Sequence, residues 1–312
     1  MAGTALQHRH RSTTGLLLLL FLTLLFALPA CERRDRSSPP DDQSDEGIQT
    51  RSTILPENPE RIVSMAPNLT ELLFAFDRGS ELVGVTRYCD WPPEAASIPK
   101  IGGMLDPDYE ALLATEPDLV LGVPAGADHK VVRLLEGADI AFAFLEMDDL
   151  AGILRGIHEL GEILGEKDKA RQIAAQLQED LQTHSRAIRK RFDQTGTTVL
   201  LVYDQEPIVA AGRGTFGDEL ITLAGLDNAV DDRAGAYPLL DIEQVLSLNP
   251  TIILDVSIGP QTSEVLAFWN RFPALDAVAH SRVFHIDDPV MMRPGPRLPE
   301  ALRQIGEALE DL

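Results

Sequence analysis

The sequence predicts an α/β protein of two Rossmann-like lobes with mostly parallel sheets, joined by one long helix. Three observations predict this fold. From Arg61 onward, short apolar runs alternate with helical patterns, which is typical of a sheet with helices on both faces. A unit of helix, turn and buried strand occurs twice, at residues 108–121 and 241–254. Between the two halves lies a helical pattern at residues 167–192 that contains neither glycine nor proline.

Residues 1–31 are predicted to be a lipoprotein signal peptide ending at Cys31. Arg9 and Arg11 precede an apolar run at residues 16–28, which is too short to span a bilayer comfortably. The run ends in Leu-Pro-Ala-Cys, which resembles the bacterial signal in which the cysteine is lipidated and becomes the new N-terminus. A plain secretory signal and an uncleaved anchor are the alternatives. The expected location is the periplasm or the outer face of the cytoplasmic membrane, with the lipid as the only membrane contact.

Residues 32–57 are predicted to form a disordered tether. They are rich in charged residues, serine and proline and offer almost nothing that could pack, a composition that stays flexible. The sequence has only two cysteines. If Cys31 carries lipid, Cys89 is left unpaired, and we interpret it as a buried thiol.

The chain is strongly acidic. Its 312 residues include 49 acidic and 27 basic side chains, and without Arg9 and Arg11 the processed chain keeps 25 basic ones. This balance argues against binding to nucleic acid, whose phosphates require a basic surface. It suits a partner that presents cationic contacts instead.

The first lobe is predicted at residues 58–166 and the second at 193–312, with the linking helix at residues 167–192 between them. In the first lobe we expect strands at 61–65, 82–85, 119–122 and 140–144 and helices at 70–76, 109–114 and 131–137. In the second we expect strands at 199–203, 251–256 and 283–286 and helices at 218–223, 242–246 and 263–268. A linking helix of this length would be a rod of about 39 Å, which should limit closure of the two lobes.

Five motifs together resemble one family, the helical-backbone periplasmic binding proteins. They are RIVSMAPNLTE at 61–71, YCDWPP at 88–93, PDLV at 117–120, AGRG at 211–214 and RPGPR at 293–297. The resemblance covers about residues 58–310. Such proteins are receptors of ABC importers for cobalamin, ferric siderophores and haem, and the greatest resemblance is to the cobalamin receptors. It implies two lobes joined by a long helix, with the ligand in the cleft between them.

The resemblance also implies that one glutamate on each lobe, Glu110 and Glu243, docks into arginines of an ABC permease that works with an ATPase. The residues agree with this role. Asp108 and Asp241 can cap their helices, and each glutamate then lies in the first turn, where the helix dipole stabilises it by about 0.3–1 kcal/mol. The alternative is that both glutamates only occupy the first turns of their helices and contact no permease. The receptor itself is expected to be a monomer.

Tyr88, Trp91 and Tyr237 are the candidate aromatic contacts with the ligand. Only 5% of the residues are aromatic, so rings in predicted cleft loops are informative, and flat rings suit a corrin, a porphyrin or an aromatic chelator. The resemblance places Tyr88 and Tyr237 at ligand-contacting positions, whereas Trp91 has packing beneath its loop as an alternative. Met104 and Val123 stand where the family has other aromatic residues. The predicted ligand is cobalamin, with a ferric siderophore or haem as the alternative.

Arg293 and Arg297 flank a rigid Pro-Gly-Pro segment. A guanidinium there could bind a phosphate, carboxylate or amide of the ligand. We expect Arg293 to reach the cleft and Arg297 to be structural. The alternative is that both arginines pair with the local acids Asp287 and Asp288.

An extracytoplasmic nucleotide-using enzyme is a more remote alternative. The segment GRGTFG at residues 212–217 matches the dinucleotide fingerprint. The first lobe has no such glycines at residues 66–69, and no acidic ribose partner stands at the end of the next strand, so we interpret the glycines as a tight turn. No catalytic residues are predicted, no catalytic cofactor is expected, and the seven dispersed histidines argue against a receptor for bare metal ions.

Overall fold

The structure is a computed structural model that describes residues 51–52, 54–191 and 196–310. The predicted signal peptide with Cys31, and residues 32–50 of the predicted tether, lie outside the described residues. Within the described part of the chain, no helix is both long enough and apolar enough to cross a membrane.

The first lobe is built on a four-stranded parallel sheet in the order β2-β1-β3-β4. Its strands are β1 (Ile62–Ser64), β2 (Leu82–Val85), β3 (Leu119–Gly122) and β4 (Ala141–Phe144), and its helices are α1 (Pro67–Ala75), α2 (Tyr109–Ala114), α3 (His129–Gly137) and α4 (Leu150–Ile163). Ile62 and Val63 pack into two separate apolar clusters. Successive side chains of a strand point to opposite faces, so both faces of the sheet are covered.

The linking helix, α5 (Lys167–Arg191), has 25 residues and is about 37 Å long. Its buried face is an apolar stripe of Ala170, Ala174, Leu177, Leu181 and Ile188, at the spacing of one helix face. This stripe packs against α4 on one side and against the C-terminal helix on the other. The predicted helix is therefore present, while the domain boundaries drawn around it stay predictions.

The second lobe has a six-stranded mixed sheet in the order β10-β9-β5-β6-β8, with β7 also paired to β5. Its elements are β5 (Thr198–Gln205), β6 (Ile208–Ala210), α6 (Phe216–Leu223), β7 (Asp227–Asn228), β8 (Leu239–Leu240), α7 (Ile242–Leu248), β9 (Ile252–Asp255), α8 (Thr262–Trp269), α9 (Asp276–Ala279), β10 (Val283–His285) and α10 (Leu298–Ala308). Strand β6 runs antiparallel to both of its neighbours, β5 and β8. Only Glu206 and Pro207 separate β5 from β6, and a connection this short forms a hairpin.

The two copies of the repeated unit begin with capped helices, as predicted. In α2 the Asp108 carboxylate accepts hydrogen bonds from the backbone N–H groups of Glu110 (3.1 Å) and Ala111 (3.0 Å). In α7 Asp241 accepts one from the Gln244 N–H (2.7 Å), and the Gln244 side chain accepts one in return from the Asp241 N–H (2.8 Å). The reciprocal pair is a capping box, so the second copy has the stronger start signal.

Residues 51 and 52, near the C-terminal end of the predicted tether, pair with the edge strand β4. The Ser52 N–H donates to the Phe142 carbonyl (2.9 Å), and the Phe142 N–H donates to the Ser52 hydroxyl (2.9 Å). Strand β4 lies at the edge of the sheet, so these groups of Phe142 have no partner in another described strand and are free to pair with residues 51–52 instead.

Candidate functional site

A cavity of about 830 Å³ opens at the carboxyl ends of the strands of the first lobe, which is where parallel sheets bind ligands. The segments that follow β1, β2, β3 and β4 each contribute to it, through Pro67, Tyr88, Val123 and Met147. The second lobe contributes three segments, at Tyr237, at Ile258 and at 289–294. The remaining lining residues are Asn68, Arg87, Asp90, Met104, Leu105, Asp106, Ala125 and Asp148.

The loop after β2 presents Tyr88 and is fixed from below by Cys89. Tyr88 is 54% exposed, whereas Cys89 is 1% exposed. The Cys89 sulfur lies 3.2 Å from the Thr70 hydroxyl and 3.1 Å from the Thr86 hydroxyl. The prediction of a buried thiol is confirmed, and its contacts hold the neighbouring tyrosine at the cavity wall.

Arg293 lines the cavity, but its guanidinium donates its hydrogen bonds to residues of the first lobe. Its Nη1 donates to Asp90 Oδ1 (2.7 Å) and to Glu71 Oε1 (3.2 Å), and its Nη2 donates to the Tyr88 carbonyl (3.0 Å). The expected alternative partners Asp287 and Asp288 are not among these acceptors. Arg293 therefore ties the second lobe to the loop that carries Tyr88.

Glu71 is the buried acid at the base of this cluster, which the sequence analysis did not single out. Its side chain is 2% exposed, and Arg297 Nη1 lies 3.6 Å from the Oε1 that Arg293 also contacts. Burial raises the pKa of Glu71, although the charges of Arg297 and Arg293 oppose that effect. The signal in the sequence was a lone acid in an otherwise apolar helix, since a buried carboxylate requires a cation.

Tyr237 forms the facing wall from the second lobe. The centre of its ring lies 5.9 Å from that of Tyr203, and the residue is 43% exposed. Burial, with a smaller effect from the charge of Asp148, raises the pKa of Tyr237 to about 12. Gly212 donates to the Ala236 carbonyl (2.7 Å), and any Cβ at Gly212 would collide with Gly235. A glycine of the fingerprint-like motif thus allows the close approach that places Tyr237.

Trp91 lies in the same loop as Tyr88 but is not part of the cavity lining. The Arg297 guanidinium lies 4.2 Å from the centre of its ring, a cation–π contact. Arg297 also pairs with Glu300 (3.1 Å). Met104 and Val123 both line the cavity.

The charged side chains of the cavity wall are largely paired. Arg87 Nη2 lies 2.8 Å from Asp106 Oδ2, and Arg293 pairs with Asp90 as described. Partial burial pushes the pKa of Asp90 up, but the hydrogen bond and charge of Arg293 outweigh this and hold it below its usual value. Asp148 is exposed in the wall, so the lining has two cations and three carboxylates.

Glu110 and Glu243 are exposed and lie outside the cavity lining. Leu113 and Leu246, three residues further along each helix, are both 36% exposed. The repeated unit thus shows the same pair of side chains on each lobe. Among the described residues, no group of three histidine, cysteine, aspartate or glutamate side chains is arranged to hold a metal ion.

Comparison with known proteins identifies the class. Residues 62–290 match the family described as periplasmic binding protein. The chain belongs to this family. It is 26% identical over 291 residues to YvrC, an uncharacterised ABC transporter substrate-binding lipoprotein of Bacillus subtilis, covering 86% of this chain and 90% of YvrC.

Two solved structures share the fold of this binding protein. The vitamin B12-binding protein BtuF of Vibrio cholerae has a TM-score of 0.70 and 25% identity, covering 82% of this chain and 98% of BtuF. A haem-binding protein of Pseudomonas aeruginosa has a TM-score of 0.72 and 26% identity, covering 81% of this chain and 93% of its own. This is an ABC transporter substrate-binding protein of the vitamin B12, haem and siderophore group, and its relatives are transport proteins, not enzymes.

Proposed function

We propose that this protein captures cobalamin in the cleft between its lobes and delivers it to an ABC permease. The observation that carries the proposal is the character of the cavity wall. Tyr88 and Tyr237 contribute aromatic rings from opposite lobes, methionines and aliphatic side chains fill much of the remainder, and both arginines are already paired with carboxylates. Such a wall suits a bulky ligand that carries amides and little charge.

A haem receptor is the second candidate, because a haem-binding relative matches this chain as well as a vitamin B12-binding one does. Phenol oxygens can ligate haem iron, and Tyr88 and Tyr237 both line the cavity. Against haem, its two carboxylates would enter a wall in which three carboxylates outnumber two arginines. A ferric siderophore with an anionic chelating group meets the same difficulty.

Delivery would use Glu110 and Glu243 as contacts with arginines of the permease. Both are exposed at equivalent points of the repeated unit, away from the cavity. A lipid on Cys31 would keep the receptor at the membrane where the permease lies, and residues 32–50 would give it reach. The lipoprotein relative from Bacillus subtilis supports this arrangement.

Titration of the purified protein with cyanocobalamin, with haemin and with a ferric hydroxamate tests the proposal. Calorimetry gives the affinity, and native mass spectrometry gives the stoichiometry. We expect one cyanocobalamin per protein and weaker binding of the other two. Tighter binding of haemin, with a Soret shift that Tyr88→Phe or Tyr237→Phe abolishes, would assign the cleft to haem instead.

A further inference from the structure

The cavity wall contains one carboxylate that no cation neutralises. Of its three acidic side chains, Asp106 pairs with Arg87 and Asp90 pairs with Arg293. Among residues 51–52, 54–191 and 196–310, no ion pair or hydrogen bond reaches the carboxylate of Asp148. Its neighbour Asp149 turns away and caps α4, accepting the Gly152 N–H (2.5 Å).

The backbone of Asp148 is fixed by the second lobe. Its carbonyl accepts the Phe216 N–H (2.9 Å), and the N–H of Leu150, two residues later, donates to Glu219 Oε2 (2.5 Å). The side chain is exposed and lines the cavity together with Tyr237. The charge of Asp148 contributes to the raised pKa of Tyr237, as expected of a carboxylate on the same stretch of wall. Asp148 thus lies where the two lobes meet, with a fixed backbone and a free carboxylate.

We propose that Asp148 selects ligands by charge, accepting a hydrogen bond from an amide or ammonium group at the ligand edge and repelling ligands that carry a carboxylate there. The inference rests on the proposed function, since it specifies which bulky chelates the cleft accepts. A free carboxylate in a partly enclosed wall is the required chemistry, because it accepts hydrogen bonds and cannot donate one. A neutral amide at position 148 would fill the same space without that preference.

Asp148→Asn tests the proposal, with Glu146→Gln as its control. Glu146 is exposed two residues away but does not line the cavity, so both variants lose one negative charge from the same segment. The probes are two matched pairs. Cyanocobalamin is compared with its monocarboxylate, in which one peripheral amide is hydrolysed, and haemin dimethyl ester is compared with haemin. Calorimetry gives, for each pair, the ratio of the affinity of the member without a free peripheral carboxylate to the affinity of the member with one.

In the wild-type protein the member without a free carboxylate should bind more tightly. Asp148→Asn should reduce that ratio by about fivefold, the effect of one nearby charge in a wet site, whereas Glu146→Gln should leave it within twofold. Raised salt should narrow the wild-type ratio towards that of Asp148→Asn. A ratio that Asp148→Asn leaves unchanged in every pair that binds overturns the inference. If only the porphyrin pair binds, cobalamin is the wrong ligand, and the change in the porphyrin ratio still decides the role of Asp148.

Discussion

The guanidinium of Arg293 lies 2.7 Å from the carboxylate of Asp90, although 203 residues separate them in the chain. The same guanidinium contacts the buried Glu71 and the carbonyl of Tyr88. One side chain of the second lobe therefore pairs with an acid inside the first lobe and holds the loop that carries the cavity-lining Tyr88.

Arg293→Met should destabilise the protein by about 3–5 kcal/mol, because it leaves the carboxylate of Glu71 buried with a weaker counter-charge. The measurement is urea unfolding followed by circular dichroism. Arg303→Met is the matched control. Arg303 pairs with the exposed Glu307, and removal of a surface pair should change the free energy of unfolding by less than about 1 kcal/mol. Adding Glu71→Gln to Arg293→Met should recover part of the loss, and no recovery would contradict the assignment of Glu71 as its source.

Acid should weaken the contact between Arg293 and Asp90. The folded-state pKa of Asp90 is below its usual value, so its stabilising contribution is complete above that usual value and is lost as the pH falls through the lower, folded-state pKa. Glu71 has the opposite sign, since its pKa is raised and its ionisation costs stability as the pH rises. Asp90→Asn should therefore flatten the acid side of a plot of unfolding free energy against pH. An acid side as steep as that of the wild type would count against this pair.

Tyr88→Ala and Tyr237→Ala should each weaken ligand binding by about three- to tenfold, because each removes one aromatic face from the cavity wall. Tyr88→Phe and Tyr237→Phe keep the ring and should bind a corrinoid almost normally. Trp91→Ala should act on stability more than on affinity, since Trp91 contacts Arg297 outside the lining. Calorimetric titration and thermal unfolding of the same samples separate the two effects.

Glu110→Ala combined with Glu243→Ala should leave ligand affinity unchanged while weakening capture by the reconstituted permease. Each charge pair at a wet interface contributes modestly, so the double variant should lose more than either single variant, and raised salt should mimic it. Glu136→Ala with Glu206→Ala is the control, because both are exposed and lie outside the cavity. Unchanged permease binding by the first double variant would remove the docking role.

Cys31→Ser should release the receptor from membranes or leave its signal peptide uncleaved. The test is fractionation of cells together with the mass of the N-terminal peptide. A wild-type pattern of membrane retention and processing would rule out lipidation at this residue.

The sequence predicted the fold correctly where capping or turn residues mark the ends of buried strands and of the helices between them. The bounds of β2, α2 and β3 match the sequence prediction, because Asp108 and Pro117 mark the ends of apolar segments. The helix α4 was missed because Gly152, Gly156 and Gly161 lower its apparent helix propensity. Packing selects these glycines, since a side chain at Gly161 would collide with Ala170 of α5.

The site was predictable only in part. Tyr88, Tyr237 and Arg293 line one cavity, and their residue types in predicted cleft loops were the signal. The partners of Arg293 were not predictable from local sequence, because Glu71 and Asp90 are brought to it by the packing of two lobes. Asp148 was also missed, because α4 was not predicted and the local sequence does not show that Asp149 caps this helix while Asp148 faces the cavity.

The ion pair between Glu71 and Arg293 joins residues 222 positions apart. The chain is synthesised from its N-terminus, so the whole first lobe is made before the counter-ion of its buried acid. Burial of Glu71 as a carboxylate therefore requires the C-terminal segment that carries Arg293 and Arg297.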